Sequence, residues 1–267
     1  MSEDQEKEVS QEEELDLKGG AKMPFLVHLA ELRRRLIICF IAVGFGFAIS
    51  YYFSKPLFKI LIRPLLKAMP EGEQLIYTGL PEAFFTYLKL GLWGGIILAL
   101  PVIFYQLWNF AAPGLYRNER RYVVPFVVWS TLMFIIGALF GYFIVFPVGF
   151  RFFLGFSDES IRALPAVAQY FSFSLKLLFG FGLVFELPVV MVFLAKMGLV
   201  NAPFLARQRK FAILLIFVIG AILTPPDVIS QVFMALPLIV LYEISILLVR
   251  LVWRKKEKER RQAAAEA

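Results

Sequence analysis

The chain has 267 residues, 59% of them hydrophobic and 16% aromatic against 18% charged, too apolar for a soluble domain and long enough for several membrane crossings. Its formal charge of +7 comes from Lys and Arg in short clusters beside apolar runs, which is a topology signal and no continuous nucleic-acid patch. A lone cysteine, Cys39, and a lone histidine, His28, exclude an intrachain disulfide, a thiolate metal site and haem held by paired histidines, and no GxxxxGK[ST] run offers a phosphate cradle, so neither cofactor nor metal is expected.

Residues 1–22 carry Glu3, Asp4, Glu6, Glu8, Glu12, Glu13, Glu14 and Asp16 with no apolar run, and are expected to be a disordered acidic tail. A membrane domain follows over 23–254. In Met23 to Arg35, Phe25, Leu26, Leu29 and Leu32 recur at three-and-four spacing, which predicts an amphipathic helix lying along the inner membrane surface. Glu31 and Arg35 stand four apart, so a plain surface ion pair is one reading of both. Span one is expected from Leu36 to Phe53.

Lys55, Lys59, Arg63 and Lys67 recur every four residues among Leu57, Phe58, Leu61 and Leu65, predicting an amphipathic helix in the first outer loop, broken at Pro64 and ended near Pro70. Span two runs from about Leu88 to Ala112, with Gly91 and Gly95 in a GxxxG pair and a kink at Pro101. Span three, Tyr122 to Val145, carries Gly137 and Gly141 likewise, and close helix packing explains both pairs. Between these charge-free runs lies the elbow FAAPGLYRNERR, Phe110 to Arg121. Glu119 is its only carboxylate, flanked by Arg117, Arg120 and Arg121. Arginines on such a loop fix orientation; the single acid calls for another reason.

Gly149 to Gln169 reads as a second outer segment with Asp158 and Glu159. Span four, Phe171 to Lys196, holds Glu186 at about its middle and Pro188 just after it. An ionised carboxylate at that depth costs at least about 2.5 to 3.5 kcal/mol, and Pro188 withholds a donor from the Val184 carbonyl, so a polar notch is expected beside the acid. Spans five and six, Phe211 to Leu223 and Val228 to Tyr242, are short; the first covers about 20 Å of a hydrocarbon core of about 30 Å. Glu243 ends the last span, within reach of headgroups or Lys210. Residues 255–267 form a charged cytoplasmic tail. Six spans starting inside put most of the 28 Lys and Arg on the inner side, so both termini are expected in the cytoplasm. The fold class is thus an all-α membrane protein of six transmembrane helices.

Four stretches taken together, HLAELRRRL at 28–36, PVIFYQLWNFAAPGLYRNERR at 101–121, FGFGLVFELPV at 179–189 and LTPPDVISQ at 223–231, resemble the TatC family, over about 23–254. The resemblance implies a non-enzymatic core subunit of the twin-arginine translocase in a prokaryotic inner membrane. It would bind twin-arginine signal peptides at the cytoplasmic face and assemble, as a homo-oligomer in complex, with TatA- and TatB-type single-span subunits. The complex would export folded proteins using the proton motive force. The resemblance further implies that Glu31 and Glu119 contact the two peptide arginines, that Phe110, Leu115, Tyr116 and Arg117 line the same surface, and that Arg33 shapes it. Glu186 would sit on the concave membrane face, with Pro64, Asp227 and Gln231 in the outer cap and partner-contact region. Guanidinium chemistry suits this role, because a carboxylate takes the planar fork in two hydrogen bonds that a lysine cannot reproduce. The rival class is a proton-coupled small-solute carrier with Glu186 as its relay, which would require duplicated halves and a midplane cavity. A scaffold subunit of a respiratory complex would need cofactor ligands that the His and Cys counts do not supply.

Overall fold

The computed structural model describes residues 23–70, 73–111, 123–156, 164–223 and 228–266, with side chains from Leu29 to Arg254 except Ile229 and Ser230. The acidic segment 1–22, the elbow residues Leu115, Tyr116, Arg117 and Glu119, the pair Asp158 and Glu159, and Asp227 lie outside the described residues. Among the described residues every regular element is helical, apart from one parallel bridge between Ile76 and Ala166.

Helix α1, Met23–Tyr52, runs unbroken through both the segment expected on the membrane surface and span one. Nothing in Phe25 to Val43 interrupts it: no Gly or Pro occurs there, and Leu, Glu and Arg are strong helix formers. Helix α2, Ser54–Leu66, presents Lys55, Lys59 and Arg63 to the outside and buries Pro64 and Leu65. The break expected at Pro64 does not occur. The ring withholds the donor that the Ile60 carbonyl would normally receive, and the Tyr142 hydroxyl donates to that oxygen instead at 2.7 Å. The Tyr170 hydroxyl donates to the neighbouring Leu61 carbonyl at 2.6 Å, so the helix keeps its course with its odd carbonyls satisfied from elsewhere.

Helix α3, Glu82–Ala111, starts one turn and a half before the apolar run, and Glu82 accepts from Thr78 N at 2.6 Å at its entry. Pro101 lies inside it. Gly91 and Gly95 both face α1: a methyl at Gly95 would stand 2.5 Å from Phe47 N, and one at Gly46 2.5 Å from the Gly95 carbonyl. The two backbones therefore touch. Helix α4, Val123–Phe140, passes through a π-helical stretch, Gly141–Val145, into α5, Phe146–Leu154, so span three stays helical past the expected start of a loop at Gly149. The wide turn closes where Phe146 N donates to the Gly141 carbonyl, just before Pro147, which has no N–H to give. Gly137 and Gly141 face α6, the former under the Phe181 carbonyl.

Helix α6, Val167–Phe185, and α7, Leu187–Lys196, form one rod interrupted at Glu186. The short α8, Ala202–Arg207, is capped by Asn201, whose Oδ1 accepts from Phe204 N at 2.8 Å. Helix α9, Arg209–Leu223, is 15 residues, about 22 Å, and so short as expected. Helix α10, Val228–Glu266, corrects the reading of span six: it does not stop before Glu243 but continues for 39 residues through the charged tail. The residues from Glu243 onward contain no Gly or Pro, so the composition that made them polar leaves them good helix formers. Among the described residues five helical stretches are long and apolar enough to cross a membrane: Leu29–Tyr52, Glu82–Ala111, Val123–Leu154, Val167–Lys196 and Gln231–Arg254. The larger core packs α6 against α10, α2 and α5; a smaller aromatic core joins α3, α4 and α7.

Candidate functional site

The elbow joins the C-terminal end of α3 to the N-terminal end of α4, and these two posts are fixed to one another. Trp108 on α3 donates from its indole nitrogen to the Ser130 hydroxyl on α4 at 2.9 Å, with both groups buried. The indole also lies 5.4 Å from the Phe126 ring and 4.6 Å from Phe193 on α7, and the Lys196 ammonium sits 5.2 Å over Phe126. Aromatic packing of this kind holds geometry as well as burying area. No sequence signal announced the Trp108 and Ser130 pair, since it depends on how two helices dock.

One turn of α1 lies against the same end. Arg35 donates from Nε to Glu31 Oε1 at 3.1 Å and from Nη2 to the same oxygen, while its Nη1 donates to the Gln106 carbonyl at 3.2 Å. Its guanidinium stands 5.9 Å over the Phe110 ring, within cation–π range. The expected i,i+4 ion pair thus exists, and it does more than decorate a surface: it clamps the Glu31 carboxylate to the base of the elbow. The Arg35 side chain is 15% exposed and that of Glu31 36%, so the acid remains reachable from the rim. Arg33 and Arg34 point outward from the same helix. Of the candidate receptor residues, the structure brings Glu31 and Phe110 together through Arg35; Glu119, Leu115, Tyr116 and Arg117 lie outside the described residues.

Glu186 stands at the interruption between α6 and α7, 6% exposed, 19 residues from the start of a 30-residue rod and so a little past its middle on the elbow side. The Ser130 hydroxyl and the Phe134 amide face its carboxyl, although among the described residues neither carboxyl oxygen has a hydrogen bond of good geometry. The rod breaks beside the acid: Glu186 N turns back to the Leu183 carbonyl at 3.1 Å, and Pro188 lies in the first turn of the next helix. The acid therefore borders the same Trp108 and Ser130 pair that fixes the elbow posts.

At the opposite end Pro64 is buried, and the Ile60 and Leu61 carbonyls one turn before it are satisfied by Tyr142 and Tyr170. Gln231 donates to the Phe217 carbonyl at 2.9 Å and packs on Gly220, which ties α9 to α10. Glu243 pairs with Arg209, at 2.7 and 2.9 Å, in place of the expected Lys210, whose ammonium instead lies 5.1 Å over Phe211. The Glu243 carboxylate holds the Arg209 guanidinium above its ordinary pKa. Among the described residues no cluster of three or more His, Cys, Asp or Glu is placed to hold a metal ion.

Residues 27–237 match the model of a protein family described as Sec-independent protein translocase protein (TatC). The chain is 55% identical over 243 residues to the Sec-independent protein translocase protein TatC of Desulforapulum autotrophicum, covering 91% of this chain and 90% of that one. It is 42% identical to the protein of the same name from Escherichia coli strain K12, covering 85% and 88%. A crystal structure of a twin arginine translocase receptor, TatC, superposes with a TM-score of 0.76 at 47% identity, covering 84% of this chain and 99% of that one.

Proposed function

This chain belongs to the TatC family of protein translocase components, a multi-pass family of the prokaryotic inner membrane that is no enzyme, and from that premise we propose that it is the signal-peptide receptor of its translocase. In this reading the elbow end faces the cytoplasm with both termini, six helices cross the bilayer, and Glu31 and Glu119 each take one guanidinium of a twin-arginine pair. Phe110, Leu115, Tyr116 and Arg117 flank the peptide and Arg33 shapes its approach. Single-span TatA- and TatB-type subunits assemble on the membrane face that Glu186 borders and on the region of Pro64, Asp227 and Gln231, and the proton motive force drives passage of folded cargo. Membership of a translocase family takes the place of the solute-carrier reading of Glu186.

The observation that carries the proposal is the clamp of Arg35 on Glu31, Gln106 and Phe110. It presets a carboxylate at the root of the loop that bears Glu119, so an arriving guanidinium meets an oriented acceptor and less binding energy is spent on ordering it. Two charge-assisted contacts at about 1.5 to 3 kcal/mol each give a preference of roughly a hundredfold to ten-thousandfold over a peptide lacking them. The test is photocrosslinking from positions beside residue 119 in the assembled complex to a peptide bearing Arg-Arg or Lys-Lys. Strong labelling by Arg-Arg alone is expected, lost in Glu31→Ala and in Glu119→Ala while both variants still insert. Undiminished crosslinking in both variants would defeat the assignment.

A further inference from the structure

On the elbow side of the bundle, away from Glu31, a cavity of about 220 Å³ opens between α8 and the later turns of α10. Ala202, Pro203 and Ala206 form one wall, and Arg250, Trp253 and Arg254 the other. The space exists because the residues at positions 202, 203 and 206 are small and share one face of α8. It is no slack in a loop. The Asn201 cap fixes the entry of α8, the Tyr242 hydroxyl donates to the Leu205 carbonyl at 2.8 Å, and the Arg209 and Glu243 pair ties its exit to α10.

The occupant follows from the face of α10 that lines it. Leu247, Arg250, Leu251 and Arg254 recur at three-and-four spacing, so two cations and two leucines share one stripe. Leu247 is 58% and Leu251 54% exposed, and Trp253, 44% exposed, stands at the rim. A ligand that satisfies such a stripe has an anionic head with apolar chains attached. Two guanidinium forks one turn apart match the oxygens of a phosphodiester, and an indole at the rim is suited to the headgroup level of a bilayer. Arg33 and Arg34, also adjacent to an apolar span, do not line this cavity, so nearness to the membrane alone does not create this arrangement.

We infer that the cavity between α8 and α10 binds the phosphodiester headgroup of an anionic phospholipid through Arg250 and Arg254, with its acyl chains lying along Leu247 and Leu251. A zwitterionic lipid brings its own cation to the two arginines and is disfavoured. The site stands apart from the receptor reading and survives or falls without it.

The full-length protein in detergent is titrated by native mass spectrometry with phosphatidylglycerol, with phosphatidylcholine of the same chains, and with inorganic phosphate as competitor. Phosphatidylglycerol is expected to bind at least about tenfold more tightly than phosphatidylcholine. Each of Arg250→Gln and Arg254→Gln weakens it about fivefold, as expected for one cation near a lipid headgroup, and Arg34→Gln leaves it unchanged. Ala206→Leu keeps both charges and fills the cavity, and it should abolish the preference as fully as the double glutamine variant. Equal binding of the two lipids would overturn the inference. So would an Ala206→Leu variant that still discriminates, which would reduce the effect to diffuse attraction, and so would displacement of the lipid by millimolar inorganic phosphate, which would assign the site to the free anion.

Discussion

At the end that carries α2, the helices are tied mainly by neutral donors on backbone carbonyls, Tyr142 on Ile60, Tyr170 on Leu61 and Val167 N on Ile76, with the Lys89 ammonium on the Ser172 hydroxyl at 2.9 Å as a charged tie beside them. At the elbow end the neutral ties Trp108 on Ser130 and Tyr242 on Leu205 are joined by several charged ones, with Arg35 on Glu31 and Gln106, Arg209 on Glu243 and Lys196 over Phe126. The two kinds of bond fail differently. A buried carbonyl that loses its donor keeps its full desolvation penalty, whereas a rim charge that loses its partner finds water or another ion. The first end is therefore built to stay as it is, and the second to exchange partners, which is what a surface that greets a cationic peptide or an anionic headgroup requires.

The largest expected effect removes the frame that both ends share. Gly95→Leu puts a side chain where even a Cβ would lie 2.5 Å from Phe47 N and 2.7 Å from its Cα, and backbone cannot give way as a flexible side chain can. Overpacking of this sort costs about 3 kcal/mol or more, and the variant should be recovered as aggregate or as degraded chain. A monodisperse Gly95→Leu protein with an unchanged thermal midpoint would show that α1 and α3 do not cross here.

Next in size, and confined to the elbow end, is the loss of the Glu31 carboxylate. Glu31→Ala should weaken twin-arginine peptide binding by about tenfold to a hundredfold with little change in thermal midpoint, because the acid contributes more to a visitor than to the fold. Arg35→Leu sharpens the point: it leaves the acceptor and removes its clamp, so the affinity should fall by less than in Glu31→Ala. An Arg35→Leu variant that binds peptide more tightly than the parent would mean that Arg35 competes for the carboxylate and does not present it.

The opposite end answers in the opposite way. Tyr142→Phe and Tyr170→Phe each strip a donor from a carbonyl beside Pro64, the first exposed and the second part-buried, at a cost of about 0.5 to 3 kcal/mol, and should lower the midpoint measurably while leaving peptide affinity as it was. Peptide binding that falls in step with stability would erase the distinction between the ends.

How much of this was legible beforehand depended on the range of the interaction. Helix content, the apolar runs, the two GxxxG contacts, the short α9 and the Glu31 and Arg35 pair are local patterns, and they read directly from spacing. Element ends read poorly. Polarity marked a boundary at Arg35 and at Glu243, yet α1 and α10 run on, because isolated charges without Gly or Pro do not end a helix and the apolar stretches continue past them, to Tyr52 and to Arg254. Pro64 reads as a break because the sequence does not reveal that two tyrosines, 78 and 106 positions further on, supply donors to the carbonyls around it. The Trp108 and Ser130 pair, and the cavity over Ala206, are invisible for the same reason.

Smallest of all should be Glu243→Gln, although its partner makes two short hydrogen bonds to it, at 2.7 and 2.9 Å. Both side chains are about half exposed, at 48% for Arg209 and 47% for Glu243, so water competes for each and the amide keeps one acceptor for the guanidinium. The thermal midpoint should fall less than in Tyr142→Phe, and the difference should fade in molar salt, which screens exposed charges and not uncharged hydroxyl-to-carbonyl bonds. A larger loss than Tyr142→Phe, persisting in salt, would mean that the pair fixes α8 and α10 as firmly as the tyrosines fix α2, and that the elbow end is no more exchangeable than the other.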